Sequence, residues 1–91
     1  MIYKVSVSKK ADRVIEKYRK SNPAAFNKFN KLYEELELHP RTGTGQPEPL
    51  TGGQNITYSR RLTANDRIIY DIFDNEIYVM ILSIDGHYGD K

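Results

Sequence analysis

Two apolar stripes with helical spacing, separated by a short polar break, constrain the fold of this chain more than any other feature. Apolar residues recur three and four positions apart over residues 11–18 and again over residues 25–36. That spacing is typical of helices with one buried face. Between the stripes, Asn22 is a favourable helix cap and Pro23 suits a first helical position. The break therefore predicts two helices packed as a hairpin.

Alternating strand patterns flank this predicted hairpin. Apolar and polar residues alternate over residues 3–7, and three further strand-like runs cover residues 56–62, 67–73 and 76–84. The last run is almost continuously apolar, which predicts a central strand buried on both faces. We therefore expect one α+β domain over residues 1–91. It should contain an N-terminal strand, the two-helix hairpin and a three-strand antiparallel meander, forming a twisted, antiparallel-rich sheet with helices on one face.

Composition narrows the class of protein further. The chain has 91 residues, of which 38% are apolar and 29% are charged, as in a globular domain rather than a disordered segment. It has no cysteine, which excludes a disulfide framework and a thiolate metal site and favours a reducing, cytoplasmic environment. No apolar stretch approaches the roughly 20 residues that a membrane helix needs. We therefore expect no membrane partner.

The charge is divided unevenly along the chain. Residues 1–45 carry ten Lys or Arg against five Asp or Glu, a net charge of +5, and residues 46–91 carry four against seven, a net charge of −3. A basic half attracts polyanions such as nucleic acid. A lysine-rich, solvated helix face explains the same residues, so both interpretations remain open.

The segment after the predicted hairpin contains the first candidate for chemistry. Residues 40–55 hold three prolines and four glycines, and so long an irregular segment in a small domain is usually functional or disordered. Glu48 lies between Pro47 and Pro49, which restrict the backbone and present the carboxylate from a stiffened segment. On its own, a loop glutamate is most often a solvated surface residue.

Further candidates lie on and beside the predicted sheet. Arg61 and Arg67 belong to neighbouring strands, on the face that the helices leave open, whereas Arg60 projects to the opposite side of its strand from Arg61. Glu48 can accept a proton, His87 can donate one, and the arginines can stabilise the charge of a phosphate. Each residue has an ordinary structural explanation, but together they form the parts of a metal-free general acid–base site. The two histidines lack ligand-like spacing, so neither a metal nor a cofactor is predicted.

Four motifs, taken in order, resemble those of one known family. They are GQPEPL at residues 45–50, YSRRLT at 58–63, DRIIY at 66–70 and the pair His87-Tyr88. With them the chain resembles the YoeB/Txe branch of the RelE-like toxins, in the RelE/ParE superfamily of bacterial type II toxin–antitoxin modules. The motifs cover about residues 40–88, and the preceding residues correspond only in their arrangement of a strand and two helices.

The resemblance implies a RelE-like microbial RNase fold and an mRNA interferase activity. Such a toxin is an endoribonuclease that cleaves mRNA in the A site of the 70S ribosome through attack by a ribose 2′-OH, without a metal or cofactor. It thereby inhibits translation and growth. The resemblance also implies a cognate YefM-like antitoxin as the neutralising partner, contact with operator DNA only through the antitoxin complex, and a homodimer.

The catalytic roles implied by the resemblance fall on residues of the four motifs. Glu48 takes the position of the general base that removes the proton from the 2′-OH. Arg67 takes that of the arginine that stabilises the phosphorane-like transition state, and His87 that of the general acid. Tyr88 takes the position of the aromatic residue that orients the substrate, and Arg61 lies near the scissile phosphate.

The expected substrate-binding set also includes Arg60, Thr51, Lys9 and Lys10. Thr51 stands where members of the family often carry a lysine, so one phosphate contact is either missing or supplied by Lys4, Lys9 or Lys10. Asp85 stands close to the catalytic histidine, where other members often have a basic or aromatic residue, and no role for it follows from the motifs.

Two alternatives from other functional classes remain open. The first is a non-catalytic protein that binds its antitoxin and acts as a transcriptional corepressor of its own operon. The second is a structural RNA-binding module that does not cleave. A protein that only binds has no need of Glu48 and His87 beside the arginines, which favours the enzyme.

Overall fold

A computed structural model describes residues 2–50 and 56–86 of the chain. These residues form two helices and a five-stranded sheet, which confirms the predicted α+β class. The elements are β1 (Lys4–Val7), α1 (Lys9–Ser21), α2 (Pro23–Leu38), β2 (Glu48–Pro49), β3 (Thr57–Arg61), β4 (Asp66–Phe73) and β5 (Tyr78–Gly86), with a 3₁₀ turn at Asp74–Glu76.

The helical hairpin forms where the sequence predicts it. Ser8 begins α1, and its hydroxyl oxygen accepts the backbone N–H of Ala11 at 3.1 Å. Asn22 begins α2 in the same way, with its side-chain oxygen accepting the backbone N–H of Ala25 at 3.2 Å. Pro23 follows at the first helical position, where a missing N–H costs no hydrogen bond. Within the described part of the chain, neither helix has the length and apolar character needed to cross a membrane.

The strands lie in the order β1-β5-β4-β3-β2. β1 runs parallel to β5, and the other neighbouring pairs are antiparallel, which confirms the predicted meander. β2 is an addition, because the sequence analysis placed its residues in the irregular segment. It pairs with β3 through Glu48–Ser59 and Pro49–Tyr58. The prolines on either side of Glu48 lack an amide N–H, which limits pairing of this sheet edge with a further strand.

The core lies between the two helices and one face of the sheet. Burial of each large apolar side chain there stabilises the fold by about 1.5–3 kcal/mol relative to exposure. Both predicted helical stripes contribute to it. The buried apolar residues of this cluster are Ala11, Ile15 and Tyr18 of α1, Ala25, Phe29, Leu32 and Leu36 of α2, and Val5, Tyr58, Leu62, Ile68, Tyr70, Ile72, Val79, Ile81 and Ile84 of the sheet and its turns.

The last strand is central, as predicted, but the prediction that it is buried on both faces is wrong for one face. Val79 and Ile81 are fully buried in the core, whereas Tyr78 and Met80, which point to the opposite face, are half-exposed. The pairing of β5 with β4 also steps over Leu82, a bulge of the kind that increases the local twist of a sheet. The continuous apolar run therefore reflects one fully buried face and one partly buried face.

Candidate functional site

Strand register brings three predicted site residues to one face of the sheet. Ser59 on β3 lies directly opposite Glu48 on β2, and Arg61 lies directly opposite Arg67 on β4. Opposite residues on antiparallel strands point to the same face, as do residues two apart on one strand. Tyr58, which alternates with Ser59, packs in the core beneath the helices. Glu48, Arg61 and Arg67 therefore share the other face, which we call the open face.

Arg61, Arg67 and Asp85 form one row across the open face. Asp85 on β5 is the register partner of Arg67, so the acidic residue without a predicted role lies beside a predicted catalytic arginine. Arg61 is exposed, and the other two are half-buried. The Nη1 group of Arg67 donates to the hydroxyl of Ser59 at 3.4 Å. Two positive groups against one negative group give this row an excess of positive charge that suits an anionic phosphate.

Glu48 lies in the neighbouring row of the open face. Two residues along a strand span about 7 Å, which sets the separation between the Glu48–Ser59 row and the Arg61–Arg67 row. The segment that leads to Glu48 is held against β3, where the carbonyl of Gly45 accepts the backbone N–H of Arg61 at 2.8 Å. A Cβ atom at Gly45 would lie 2.5 Å from the carbonyl oxygen of Arg61, and φ there is +87°. Only glycine allows so close an approach.

The turn between β3 and β4 is anchored to α1. The hydroxyl of Tyr18 donates to Oδ2 of Asp66 at 2.6 Å, and the hydroxyl of Thr63 donates to the same oxygen at 3.1 Å. This carboxylate lies between the two arginine positions in the sequence, at the start of β4. The contacts fix the turn that joins Arg61 to Arg67, so they help to set the geometry of the arginine row.

Tyr18→Phe is expected to destabilise the protein by about 1 kcal/mol at pH 7 through loss of this buried hydrogen bond. Burial, and next the hydrogen bond to Asp66, raises the pKa of Tyr18 above its ordinary value. A phenol whose pKa rises on folding contributes stability that is fully present below its unfolded pKa of about 10. That contribution is lost as the pH rises through the folded pKa.

The free energy of unfolding in urea, measured from pH 7 to above pH 10 for wild type and Tyr18→Phe, tests this linkage. The difference between the two proteins should shrink above about pH 10, because only wild type loses the Tyr18 contribution there. A difference that stays constant or grows above pH 10 would contradict the role assigned to the phenol.

The structure corrects the prediction that Arg60 binds substrate. Its side chain is fully buried, with 0% exposure, because it projects from β3 to the side opposite Arg61. Its Nη1 group pairs with Oε1 of Glu35 at 2.9 Å, and its Nη2 group donates to backbone carbonyls of the segment after α2. A guanidinium enclosed in this way cannot contact RNA.

Lys9 and Lys10 lie apart from the Glu48 edge of the sheet. Both are exposed in the first turn of α1, which is attached to β5 through a hydrogen bond from the Ser8 hydroxyl to the carbonyl of Leu82 at 2.6 Å. β5 and β2 are three strand spacings apart, about 14 Å. From this position the two lysines could contact only a part of a long substrate that lies away from Glu48. Their role in binding stays a prediction.

Three predicted site residues fall outside the described residues. They are the general acid His87, the substrate-orienting Tyr88 and Thr51, and their roles stay predictions. In the described part, β5 extends to Gly86, which is paired with Asp66 of β4. Within residues 2–50 and 56–86, no group of three or more His, Cys, Asp or Glu side chains is placed to hold a metal ion.

Sequence reasoning missed several contacts that position the site. All of them join residues on different elements: Ser59 with Arg67, Tyr18 with Asp66, and Arg60 with Glu35. One signal was available for the last of these. Adjacent residues on a strand point to opposite faces, so Arg60 and Arg61 cannot both face a substrate on one side of the sheet.

Comparison with known proteins gives one consistent result. Residues 7–88 match a family described as "YoeB-like toxin of bacterial type II toxin-antitoxin system". Over 71 residues the chain is 28% identical to Toxin YoeB of Synechocystis sp., and the match covers 78% of this chain and 80% of that protein.

Solved structures agree with the family match. The YoeB dimer from Staphylococcus aureus is 25% identical to this chain, with a TM-score of 0.81, covering 97% of this chain and 100% of that one. A chain of the YoeB-YefM complex from the same species is also 25% identical, with a TM-score of 0.78 and the same coverage.

Proposed function

Because the chain belongs to the family of YoeB-like toxins of bacterial type II toxin–antitoxin systems, we propose that it is a ribosome-dependent endoribonuclease. It cleaves mRNA in the ribosomal A site by general acid–base catalysis and without a metal ion. The observation that carries this proposal is the strand register that brings Glu48, Arg61 and Arg67 to the open face. A carboxylate that shares one face of the sheet with two guanidinium groups supplies a base and charge stabilisation for a phosphodiester.

The proposed reaction begins at the ribose 2′-OH next to the scissile phosphate. Glu48 removes its proton, and the oxygen attacks phosphorus to form a five-coordinate transition state. Arg67, with Arg61 beside it, stabilises the negative charge that develops on the phosphate oxygens. As the bond from phosphorus to the 5′-oxygen breaks, His87 donates a proton to the leaving oxygen. The products are a 2′,3′-cyclic phosphate, which can open to a 3′-phosphate, and a 5′-OH.

The remaining predicted residues would hold the RNA. Tyr88 orients the substrate next to the reacting groups, since an aromatic ring can stack on a base. Lys9 and Lys10 contact phosphates away from the scissile bond, and Thr51, three residues after Glu48 in the sequence, also binds the substrate. These contacts contribute to binding rather than to the chemical step.

The proposed partners follow from the relatives. The YoeB-YefM complex of S. aureus supports a YefM-like antitoxin that neutralises this toxin, and the S. aureus YoeB dimer supports a homodimer. We expect an acidic segment of the antitoxin to cover Arg61 and Arg67, since its carboxylates would replace the RNA phosphates. Operator DNA is contacted only through the antitoxin complex, and the toxin acts in the cytoplasm, where the ribosomes are.

Cleavage of mRNA on programmed ribosomes tests the proposed function. Wild-type protein should cut an mRNA positioned in the A site, and replacing the 2′-OH beside the scissile phosphate with hydrogen should abolish that cut because the nucleophile is missing. The control carries the same replacement one codon downstream, which should leave the cut unchanged. Cleavage at the 2′-deoxy nucleotide would contradict attack by the 2′-OH. Binding of antitoxin without any cleavage would instead favour the non-catalytic corepressor.

A further inference from the structure

We propose that Arg60 is a positioning residue for Glu48, acting through the segment that joins α2 to β2. This inference rests on the proposed catalytic role of Glu48 and adds to it. Arg60 does not touch substrate. Its guanidinium fixes the backbone from His39 to Thr44, so that the chain enters β2 with the carboxylate on the open face.

The contacts of the buried guanidinium converge on this one segment. Nη2 of Arg60 donates to the carbonyl oxygens of His39, Pro40 and Thr42 at 3.0, 3.3 and 2.8 Å. Three carbonyls within four residues therefore accept from a single nitrogen. Tyr70 donates to the same Pro40 carbonyl at 2.7 Å, in the interior. We call Arg60, its partner Glu35 and these carbonyls the guanidinium clamp.

Glu35 extends the clamp along the segment. The same Oε1 atom that pairs with Arg60 accepts the backbone N–H of Thr44 at 2.8 Å. A Cβ atom at Gly43, where φ is +112°, would lie 2.5 Å from this oxygen, so glycine permits the approach. Although partial burial disfavours its charged form, hydrogen bonds from Thr44 and the charges of Arg60 and Lys31 hold the pKa of Glu35 below its ordinary value.

The backbone just before Glu48 has an unfavourable conformation that contacts with other parts of the chain must stabilise. Gln46 has a φ of +53°, a left-handed conformation that is unfavourable for a residue with a side chain. It also precedes Pro47, a position that favours extended backbone. An unfavourable conformation persists only where the surroundings over-determine it. The clamp and the bond from Arg61 N–H to the Gly45 carbonyl hold the chain before Gln46, and the pairing of Glu48 with Ser59 holds it afterwards.

Burying the charged side chain of Arg60 destabilises the fold, and packing alone does not explain why a charged residue occupies this position. Arg60 is fully buried and charged, and within the described residues its Nε–H has no hydrogen-bond partner. Burying a charge with an unpaired donor disfavours folding, and an apolar side chain of similar size would often fill such a site as well. A role in placing the catalytic base accounts for the charge, because displacement of a reacting group by 1 Å can lower a rate about 10²-fold.

A double-mutant cycle on RNA cleavage tests the inference. Arg60→Lys keeps the charge but loses the planar fork that reaches the carbonyls. It should lower kcat on programmed ribosomes by about 10–100-fold with little change in the ribosome concentration at half-maximal rate. In a Glu48→Gln background the same change should lower the residual rate less than about twofold, because Arg60 acts through Glu48. The matched control Arg19→Lys, at an exposed ion pair with Glu16 on α1, should stay within about twofold of wild type.

The possible results distinguish the positioning role of Arg60 from the proposed catalytic role of Glu48. Equal losses from Arg60→Lys in both backgrounds, or no loss in either, would overturn the positioning role. Unchanged cleavage in Glu48→Gln alone would overturn the proposed function at its catalytic base. If Arg60→Lys does not fold, the same double-mutant cycle is measured with Glu35→Gln. This variant should fold, because the side chain of Glu35 is 22% exposed and the amide retains an acceptor for Thr44.

Amide hydrogen exchange gives a readout that does not depend on activity. In Arg60→Lys, and to a smaller extent in Glu35→Gln because an amide oxygen is a weaker acceptor than a carboxylate, the amide protons of Thr44 and Arg61 should exchange faster than in wild type, since both bonds hold the clamped segment. The amide of Leu62, which bonds to the Asp66 carbonyl at 2.9 Å, serves as the control and should be unchanged. Faster exchange of Leu62 to the same extent would show general destabilisation and overturn the inference.

Discussion

Glu48→Gln is expected to lower the rate of mRNA cleavage by about 10²–10⁴-fold, the usual contribution of a general base. The amide keeps the size of the side chain but cannot take the proton of the 2′-OH. Because Glu48 is exposed on the short edge strand β2, the free energy of unfolding should change by no more than about 0.5 kcal/mol. Single-turnover cleavage on programmed ribosomes, with thermal unfolding in parallel, measures both.

The matched control for this variant is Glu34→Gln, at an exposed glutamate on α2. It removes the same charge from the protein away from the open face, so the rate should stay close to that of wild type. Cleavage by Glu48→Gln within about threefold of Glu34→Gln would remove Glu48 from the mechanism.

Arg67→Gln is expected to lower kcat by about 10²–10³-fold, as the loss of one group that stabilises an oxyanion does in other enzymes. Arg67 is half-buried on β4, where its Nη1 group already contacts Ser59 and its backbone is paired with Arg61. Its guanidinium is therefore held against β3 rather than extended into solvent, which would pre-orient it for the proposed role. Arg67→Lys should recover part of the rate, since it restores the charge but not two parallel donors.

Steady-state kinetics on programmed ribosomes separate the two possible roles of Arg67. A group that acts in the transition state lowers kcat and kcat/KM together, whereas a group that only binds substrate raises KM and leaves kcat unchanged. Unchanged kcat in Arg67→Gln would therefore assign Arg67 to substrate binding. Arg19→Gln, which removes an exposed arginine from α1, controls for the loss of one positive charge.

The sequence predicted the elements whose signals are local. The helical hairpin follows from Asn22 and Pro23, which cap and begin α2 in the structure, and the meander follows from three runs with strand periodicity. β2 could not be predicted in this way, since a strand of two residues, of which one is Pro49, shows no alternation. Leu82 likewise gave no sign of a bulge, because an inserted apolar residue in an apolar run leaves the pattern unchanged.

The candidate site was predictable as a set of residues but only partly as an arrangement. Strand alternation placed Arg61 and Arg67 on the face that the helices leave open, whereas the position of Glu48 on that face depends on the pairing of β2 with β3, which only the folded chain fixes. Arg60 shows the limit of motif reasoning. Its neighbour in the motif faces the open side, and Arg60 itself is enclosed with Glu35, a residue 25 positions earlier in the chain.

The chemistry of the cut ends tests the central claim most directly. An mRNA is bound in the A site of purified ribosomes and treated with wild-type protein or Glu48→Gln, and both fragments are analysed by mass spectrometry. If Glu48 activates the 2′-OH, the upstream fragment from wild type ends in a 2′,3′-cyclic phosphate or 3′-phosphate, the downstream fragment begins with a 5′-OH, and Glu48→Gln yields little of either. An upstream 3′-OH with a downstream 5′-phosphate would contradict the account, because water rather than the ribose would then be the nucleophile.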